Sequence, residues 1–172
     1  MIQVDISKCT GCKQCETACS FYHTGRINNR LSRIKVLNLY EIGIDGPVVC
    51  RQCTEQYCMK CPENALSIGN HGQIIVSPTR CKLCGACEKN CPVGAVELFQ
   101  EISYVCDLCD GKPKCIDACT EGALTWSENG TGNISLAEIK QKTKKMNPGQ
   151  KREFYLRHLS VEVRERWRKS HA

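Results

Sequence analysis

Cys81-Lys82-Leu83-Cys84-Gly85-Ala86-Cys87-Glu88-Lys89-Asn90-Cys91-Pro92 is the stretch on which the reading of this chain turns. Its four thiols follow spacings of x2, x2 and x3, and a proline comes directly after the last. A loop this tight can wrap three thiolates around one face of a metal cube. Its Cys-x-x-Cys steps aim backbone N–H groups at the inorganic sulfides, and the fourth cysteine, expected to begin a helix pointing away, reaches a second cube. Gly85 sits inside the loop, where a small residue lets the backbone pass close to the cluster.

The spacing is that of the bacterial ferredoxin run C-x2-C-x2-C-x3-C-P. Cys9, Cys12, Cys15 and Cys19 repeat it, with Ser20 where the proline would stand and Gly11 in the loop. Two looser groups, Cys50, Cys53, Cys58, Cys61 and Cys106, Cys109, Cys115, Cys119, complete a set of 16 cysteines with none left over. Structural zinc also uses Cys-x2-Cys pairs, but a triplet at x2-x2 spacing leaves the middle thiolate surplus around a tetrahedral ion. Disulfides are disfavoured by context. The N-terminus Met1-Ile2-Gln3-Val4-Asp5 has neither a basic nor an apolar leader region, and no apolar run is long enough to span a membrane. A cytoplasmic chain, where thiols stay reduced, is expected.

After three of the groups a phrase recurs: Pro62-Glu63-Asn64-Ala65-Leu66-Ser67-Ile68, Pro92-Val93-Gly94-Ala95-Val96-Glu97-Leu98 and Thr120-Glu121-Gly122-Ala123-Leu124-Thr125-Trp126. Each reads as a short helix, a Gly or Asn turn and a strand. Strands are also expected at Ile2–Ile6 and Gln73–Val76. After Cys19 the phrase gives way to Phe21–Val49, whose alternating Ile34–Leu39 predicts an inserted strand or hairpin. The fold class is therefore α+β, with a cysteine-rich body over residues 1–126. Only three Phe, five Tyr and two Trp are available for a core, so metal must supply part of the cohesion.

The formal charge of +6 is concentrated beyond residue 126, where eleven Lys and Arg face five Asp and Glu; the body carries thirteen of each. Residues 127–133 read as a linker, Ser135 with Glu138 as a helix cap, and Asn147-Pro148-Gly149 as a break. Gln150–Lys169 reads as a basic helix with Leu156, Leu159, Val163 and Trp167 along one face. Residues 127–172 are thus a linker and a helical extension, expected to dock on a partner, with packing on the chain's own body as the alternative. No base-stacking aromatic set points to nucleic acid.

The body resembles the four-cluster ferredoxin subunits that serve molybdopterin oxidoreductases, formate hydrogenlyase and carbon-monoxide dehydrogenase systems. Lys8–Ser20 and Val105–Gly111 carry the likeness. Ser20-Phe21-Tyr22-His23 and Val48–Cys53 are similar to the small subunits of tungsten aldehyde oxidoreductase and tungsten benzoyl-CoA reductase complexes. The resemblance implies two nested, pseudo-repeated 2[4Fe–4S] ferredoxin-like modules and four 4Fe–4S clusters. Their ligands would be Cys9, Cys12, Cys15, Cys119; Cys50, Cys53, Cys58, Cys91; Cys81, Cys84, Cys87, Cys61; and Cys106, Cys109, Cys115, Cys19. It also implies a large catalytic subunit holding tungsten or molybdenum pterin, and admits a further electron-transfer or flavin subunit. One departure matters: the family places three residues between the last two cysteines of the second group, where only Met59 and Lys60 stand here. That shortening leaves three clusters as the alternative count.

No nucleophile–base set, carboxylate pair or phosphate loop stands out. His23, His71, His158 and His171 lie far apart and read as surface groups, as do Glu16, Glu88 and Asp107. A non-catalytic relay passing single electrons is expected, with Lys8, Lys13, Arg80 and Lys82 placed to raise potentials nearby. The alternatives are a relay for a nickel hydrogenase or carbon-monoxide dehydrogenase, and a free soluble ferredoxin.

Overall fold

The computed structural model describes residues 1–127 and 136–170. In the first half the chain forms β1 (Ile2–Val4), α1 (Gln14–Thr24), the hairpin β2 (Lys35–Leu39) and β3 (Ile44–Val48), then β4 (Leu66–Ile68) and β5 (Ile74–Val76). It continues through α2 (Ala86–Asn90), β6 (Glu97–Phe99), β7 (Ile102–Tyr104), α3 (Lys114–Asp117) and β8 (Leu124–Trp126), and closes with α4 (Leu136–Lys142) and α5 (Pro148–Ser170). The strands form four two-stranded antiparallel ribbons: β1–β8, β2–β3, β4–β5 and β6–β7. With the short helices between them they make an α+β body.

β1 pairs with β8 from Ile2 opposite Trp126 to Val4 opposite Leu124, which brings the two ends of the cysteine body together. The ladder runs one bond further at each end, through Ser127 N–H to Met1 O (2.9 Å) and Asp5 N–H to Ala123 O (2.8 Å). The first strand stops short of Ile6 because Asp5 turns the chain, its Oδ1 accepting from Ser7 N–H at 3.0 Å. The insertion expected between Phe21 and Val49 is the β2–β3 hairpin, with Lys35 opposite Val48 and Leu39 opposite Ile44.

In the recurring phrase the expected short helix is a turn. Asn64, Gly94 and Gly122, each three residues beyond a last cysteine, have φ of 48°, 67° and 63°. A left-handed residue there ends any helix, so Asn64 N–H returns to Cys61 O and Gly122 N–H to Cys119 O, both at 3.2 Å. The alanine that follows, Ala65, Ala95 or Ala123, is buried each time. The helices lie earlier, between the third and fourth cysteines.

The C-terminal segment packs back on the body. Asn147-Pro148 starts α5 rather than breaking the chain: Gln150 N–H donates to Asn147 Oδ1 (2.9 Å) and Asn147 N–H to Gln150 Oε1 (3.0 Å). This is a reciprocal cap, with proline at the first helical position. Tyr155, Leu156 and Val163 are buried, and Leu156 lies against the β2–β3 hairpin, where a Cβ added at Gly46 would stand 2.4 Å from Leu156 Cδ1. Gly94 is equally constrained, since its Cβ would meet Pro148 O at 2.3 Å. The apolar stripe expected to dock on a partner is therefore mostly used within the chain, because the hairpin offers it a matching apolar surface; Trp167, at its far end, is 43% exposed. The linker beyond Ser127 and the cap at Ser135 lie outside the described residues. Among the described residues no helix is long and apolar enough to cross a membrane.

Leu156→Ala removes a side chain with no exposed surface and should cost about 2–5 kcal/mol of stability. Thermal unfolding of the full chain should show a lowered Tm, and Gly46→Ala should lower it too through the opposite fault of overpacking.

Candidate metal centres

In three groups the third and fourth cysteines stand four residues apart, bridged by one helical turn: Cys15 and Cys19 on α1, Cys87 and Cys91 along α2, Cys115 and Cys119 along α3. That spacing puts both thiols on one helix face. The second group is shorter by one residue and forms a tighter 3-10 turn at Tyr57–Met59, which needs only three residues per turn. Cys58 and Cys61 thereby occupy the same relative places as the other pairs.

Each pair is divided between two sites. One cavity is lined by Cys9, Cys12, Cys15 and, from the far end of the body, Cys119. Another is lined by Cys50, Cys53, Cys58 and Cys91, and a third by Cys61, Cys81, Cys84 and Cys87. Cys19, Cys106, Cys109 and Cys115 form the remaining set, close enough for their charges to interact. The structure thus gathers the sixteen cysteines into four sets of thiols, Cys61 lying with Cys81, Cys84 and Cys87.

The sets lie in sequence. Cys15 of the first interacts with Cys115, and Cys106 beside Cys115 interacts with Cys50 of the second foursome. Cys58 and Cys61 then link that foursome to the one around Cys81. At the two ends Cys12 and Cys84 are exposed, whereas Cys19, Cys106, Cys109 and Cys115 between them are all buried.

The lining suits a cluster with four thiolate ligands. Backbone N–H groups already point at the sulfurs: Arg33 to Cys19 Sγ (3.3 Å), Gln52 to Cys50 Sγ (3.5 Å), Ala65 to Cys61 Sγ (3.5 Å) and Ala95 to Cys91 Sγ (3.3 Å). The last two come from the buried alanines of the recurring phrase, which gives that phrase its physical reason. Burial pushes the Cys50 and Cys115 thiols up to about 12 and drives Cys15, Cys58 and Cys106 the same way. Thiolates so buried need a cationic metal core to hold them ionised, and loading releases their protons.

Side chains read as solvated prove to be structural. Glu16 is 4% exposed and accepts from Val36 N–H at 2.5 Å. Glu88 accepts from Leu98 N–H at 2.6 Å, and Asp107 is ion-paired with Arg33. His23 is no isolated surface group, since its Nε2 lies 3.4 Å from Asp107 Oδ1 and 3.8 Å from Cys109 Sγ. Burial, then the nearby Arg33, holds its pKa below the usual value. Of the lysines expected to tune potentials, Lys8 pairs with Asp5 and Lys82 with Glu63. Two buried cations, Lys151 and Arg152, and the half-buried Lys140 come instead from the C-terminal segment. Lys151 Nζ donates to Glu88 O and Lys89 O, Lys140 Nζ to Asn90 O, and Arg152 Nη1 to Gly94 O. Sequence offered no signal for these beyond a basic tail.

This is the site architecture of a multi-cluster ferredoxin. Family models described as 4Fe–4S binding domain match residues 1–24, 74–97 and 107–122. The chain is 39% identical to the polyferredoxin-like subunit of aliphatic sulfonate oxidoreductase from Pyrococcus furiosus, over 77% of this chain and 78% of that protein. It is 36% identical to the beta subunit of NADH-dependent phenylglyoxylate dehydrogenase from Aromatoleum evansii, over 72% of this chain but 29% of that one. Among solved structures, the BamBC active-site complex of benzoyl coenzyme A reductase with benzoyl-CoA aligns at a TM-score of 0.46 and 26% identity, covering 86% of this chain and 90% of that one. The chain belongs to the polyferredoxin-like subunits of oxidoreductases, and it carries several 4Fe–4S binding domains.

Without metal, the raised thiols have a clear pH signature. A group whose folded pKa lies above its ordinary value, here 9.0, stabilises the fold below that value and loses its contribution as pH rises towards about 12. The cluster-free chain should therefore melt at a lower temperature at about pH 10 than at about pH 7, read by circular dichroism under reducing conditions.

Proposed function

We propose that this chain is a non-catalytic electron-relay subunit of a larger oxidoreductase complex. It would hold four 4Fe–4S clusters on the foursomes Cys9, Cys12, Cys15, Cys119; Cys106, Cys109, Cys115, Cys19; Cys50, Cys53, Cys58, Cys91; and Cys81, Cys84, Cys87, Cys61. The observation that carries this reading is the row of thiol sets, buried in the middle and opening at Cys12 and Cys84. An electron can enter at one exposed end and leave at the other without the chain moving. When bound, each cluster supplies a one-electron couple whose potential depends on hydrogen bonds to sulfur, local charge and exposure. The chain's own share is to donate N–H groups to the thiolates and to exclude water from the inner sets.

Residues 1–126 would form an outer module, from the groups at Cys9–Cys19 and Cys106–Cys119, around an inner one from Cys50–Cys61 and Cys81–Cys91. Residues 127–172 would clasp this body, leaving the basic distal end of α5 for a partner. The family relation to an oxidoreductase subunit supports a catalytic partner, and the likeness of Ser20–His23 and Val48–Cys53 to tungsten-enzyme subunits favours a tungsten or molybdenum pterin protein. A cytoplasmic, anaerobic setting fits such a complex.

Metal analysis of the complex co-purified anaerobically with this chain tests the assignment. Tungsten or molybdenum with abundant iron is expected; nickel, or iron alone, would overturn the pterin partner. Within the chain, Cys58→Ser should lower bound iron by about four atoms out of about sixteen. A wild-type content nearer twelve would show instead that the shortened second group leaves one site unfilled.

A further inference from the structure

We infer that the set around Cys50 has a higher potential than the set around Cys9, because carboxylates are built against the Cys9 set and ammonium groups against the Cys50 set. The inference rests on the relay reading above and gives it a direction.

At the second set the cations hold the carbonyl end of α2, which leads into Cys91. Lys140 Nζ lies 2.6 Å from Asn90 O and 3.2 Å from Asn90 Oδ1, and 5.7 Å from the centre of the Tyr57 ring. Asn90 directly precedes Cys91, and Tyr57 directly precedes Cys58, so this one ammonium group spans the set. Lys151, 1% exposed, places Nζ 3.1 Å from Glu88 O and 2.9 Å from Lys89 O. Arg51 follows Cys50 and adds a third positive charge felt by that thiol. Two acidic groups lie near. Glu88 is turned to Leu98 N–H, and Glu55 is exposed and so screened by water and salt.

At the first set two carboxylates stand beside the ligands, among cations that include Lys8, paired with Asp5, and Arg152, paired with Glu97. Gly11 lies between Cys9 and Cys12, and a Cβ there would stand 2.8 Å from Asp45 Cγ. The Asp45 carboxylate therefore rests on the ligand loop, fixed by Asn38 Nδ2 at 2.6 Å. Glu16 follows Cys15 and is buried against Val36 N–H. Lys35, a cation facing Glu16, is turned to the carbonyls of Asn29 and Arg30 at 2.8 and 3.0 Å, and Lys13 lies on the loop itself.

Reduction adds one negative charge to a site. Nearby ammonium groups favour the reduced form, nearby carboxylates disfavour it, and both act more strongly out of water. With clusters bound, an electron leaving the Cys9 set would oxidise it and, passing through the Cys19 set, would reduce the Cys50 set, with no bond or proton moving. Between these two sets the Cys50 set would hold the electron.

Potentiometric titration of the anaerobically purified full chain, followed by electron paramagnetic resonance, tests this, with signals assigned from the Cys12→Ser and Cys53→Ser variants. The wild-type couple perturbed by Cys53→Ser should lie at a higher potential than the couple perturbed by Cys12→Ser. Lys140→Gln should move that couple downward, changing its reduced-to-oxidised ratio at a fixed poise by on the order of tenfold, with iron content unchanged and recovery in Lys140→Arg. Asp45→Asn should move the Cys12-assigned couple upward. If Lys140→Gln loses iron, Lys151→Gln should give the same downward shift. The gradient is overturned if the Cys12-assigned couple lies at or above the Cys53-assigned one, or if the substitutions shift every couple alike or none. A wild-type chain without iron–sulfur signals would defeat the relay reading itself, whereas intact signals with misplaced shifts would overturn only the gradient.

Discussion

Two cysteines four residues apart on a helix share one face, and in this chain the two thiols of every such pair look into different cavities. Cys15 lines a cavity that Cys119 completes, while Cys115 belongs with Cys19. No cysteine group therefore supplies all four thiols of a set. Thiols of the first group lie with those of the last, and thiols of the second with those of the third, so the chain folds back on itself twice. The pairing of β1 with β8 and the packing of α1 on α3 are consequences of that exchange. A modest apolar core suffices, in which Ile2, Leu108 and Val96 are almost wholly buried, because metal–thiolate bonds would tie together segments over a hundred residues apart.

The second group shows how strict this requirement is. It lacks one residue, and an α-helical turn would have rotated Cys61 away from the others. The 3-10 turn at Tyr57–Met59 absorbs the deletion, since it closes with three residues rather than nearly four. Cys61 N–H bonds to Met59 O at 2.7 Å, and the thiol still meets Cys81, Cys84 and Cys87. Local backbone geometry yields here so that the foursome is kept.

What sequence made legible is what local spacing encodes: the cysteine groups, the recurring phrase, the β2–β3 hairpin and the long C-terminal helix. The phrase conceals its turn because Asn64, Gly94 and Gly122 act through left-handed backbone, and a string such as Pro92-Val93-Gly94-Ala95 suits a helix start as well as a turn. Glu16 and Glu88 looked solvated because their partners, Val36 N–H and Leu98 N–H, are backbone groups that no pattern displays. The stripe on α5 said only that something must cover it. It could not say that Gly46 leaves space for Leu156, nor that Lys151 and Arg152, strongly polar by any scale, would be buried.

Those two residues explain why the C-terminal segment belongs to the body. α2 has five residues, so most of its carbonyls have no helical partner, and Pro92 beyond it has no N–H to offer. Lys140, Lys151, Arg152 and Thr143 fill the gap, reaching Asn90 O, Lys89 O, Gly94 O and Pro92 O in turn. A hydroxyl or amide could have done as much for the carbonyls alone. Burying an ammonium group is expensive unless an opposite charge lies close, and the negative charge within reach of Lys151 is the Glu88 carboxylate and, once it holds a metal, Cys91. The segment thus supplies hydrogen bonds that the helix end lacks and positive charge that a loaded, anionic site would hold in place.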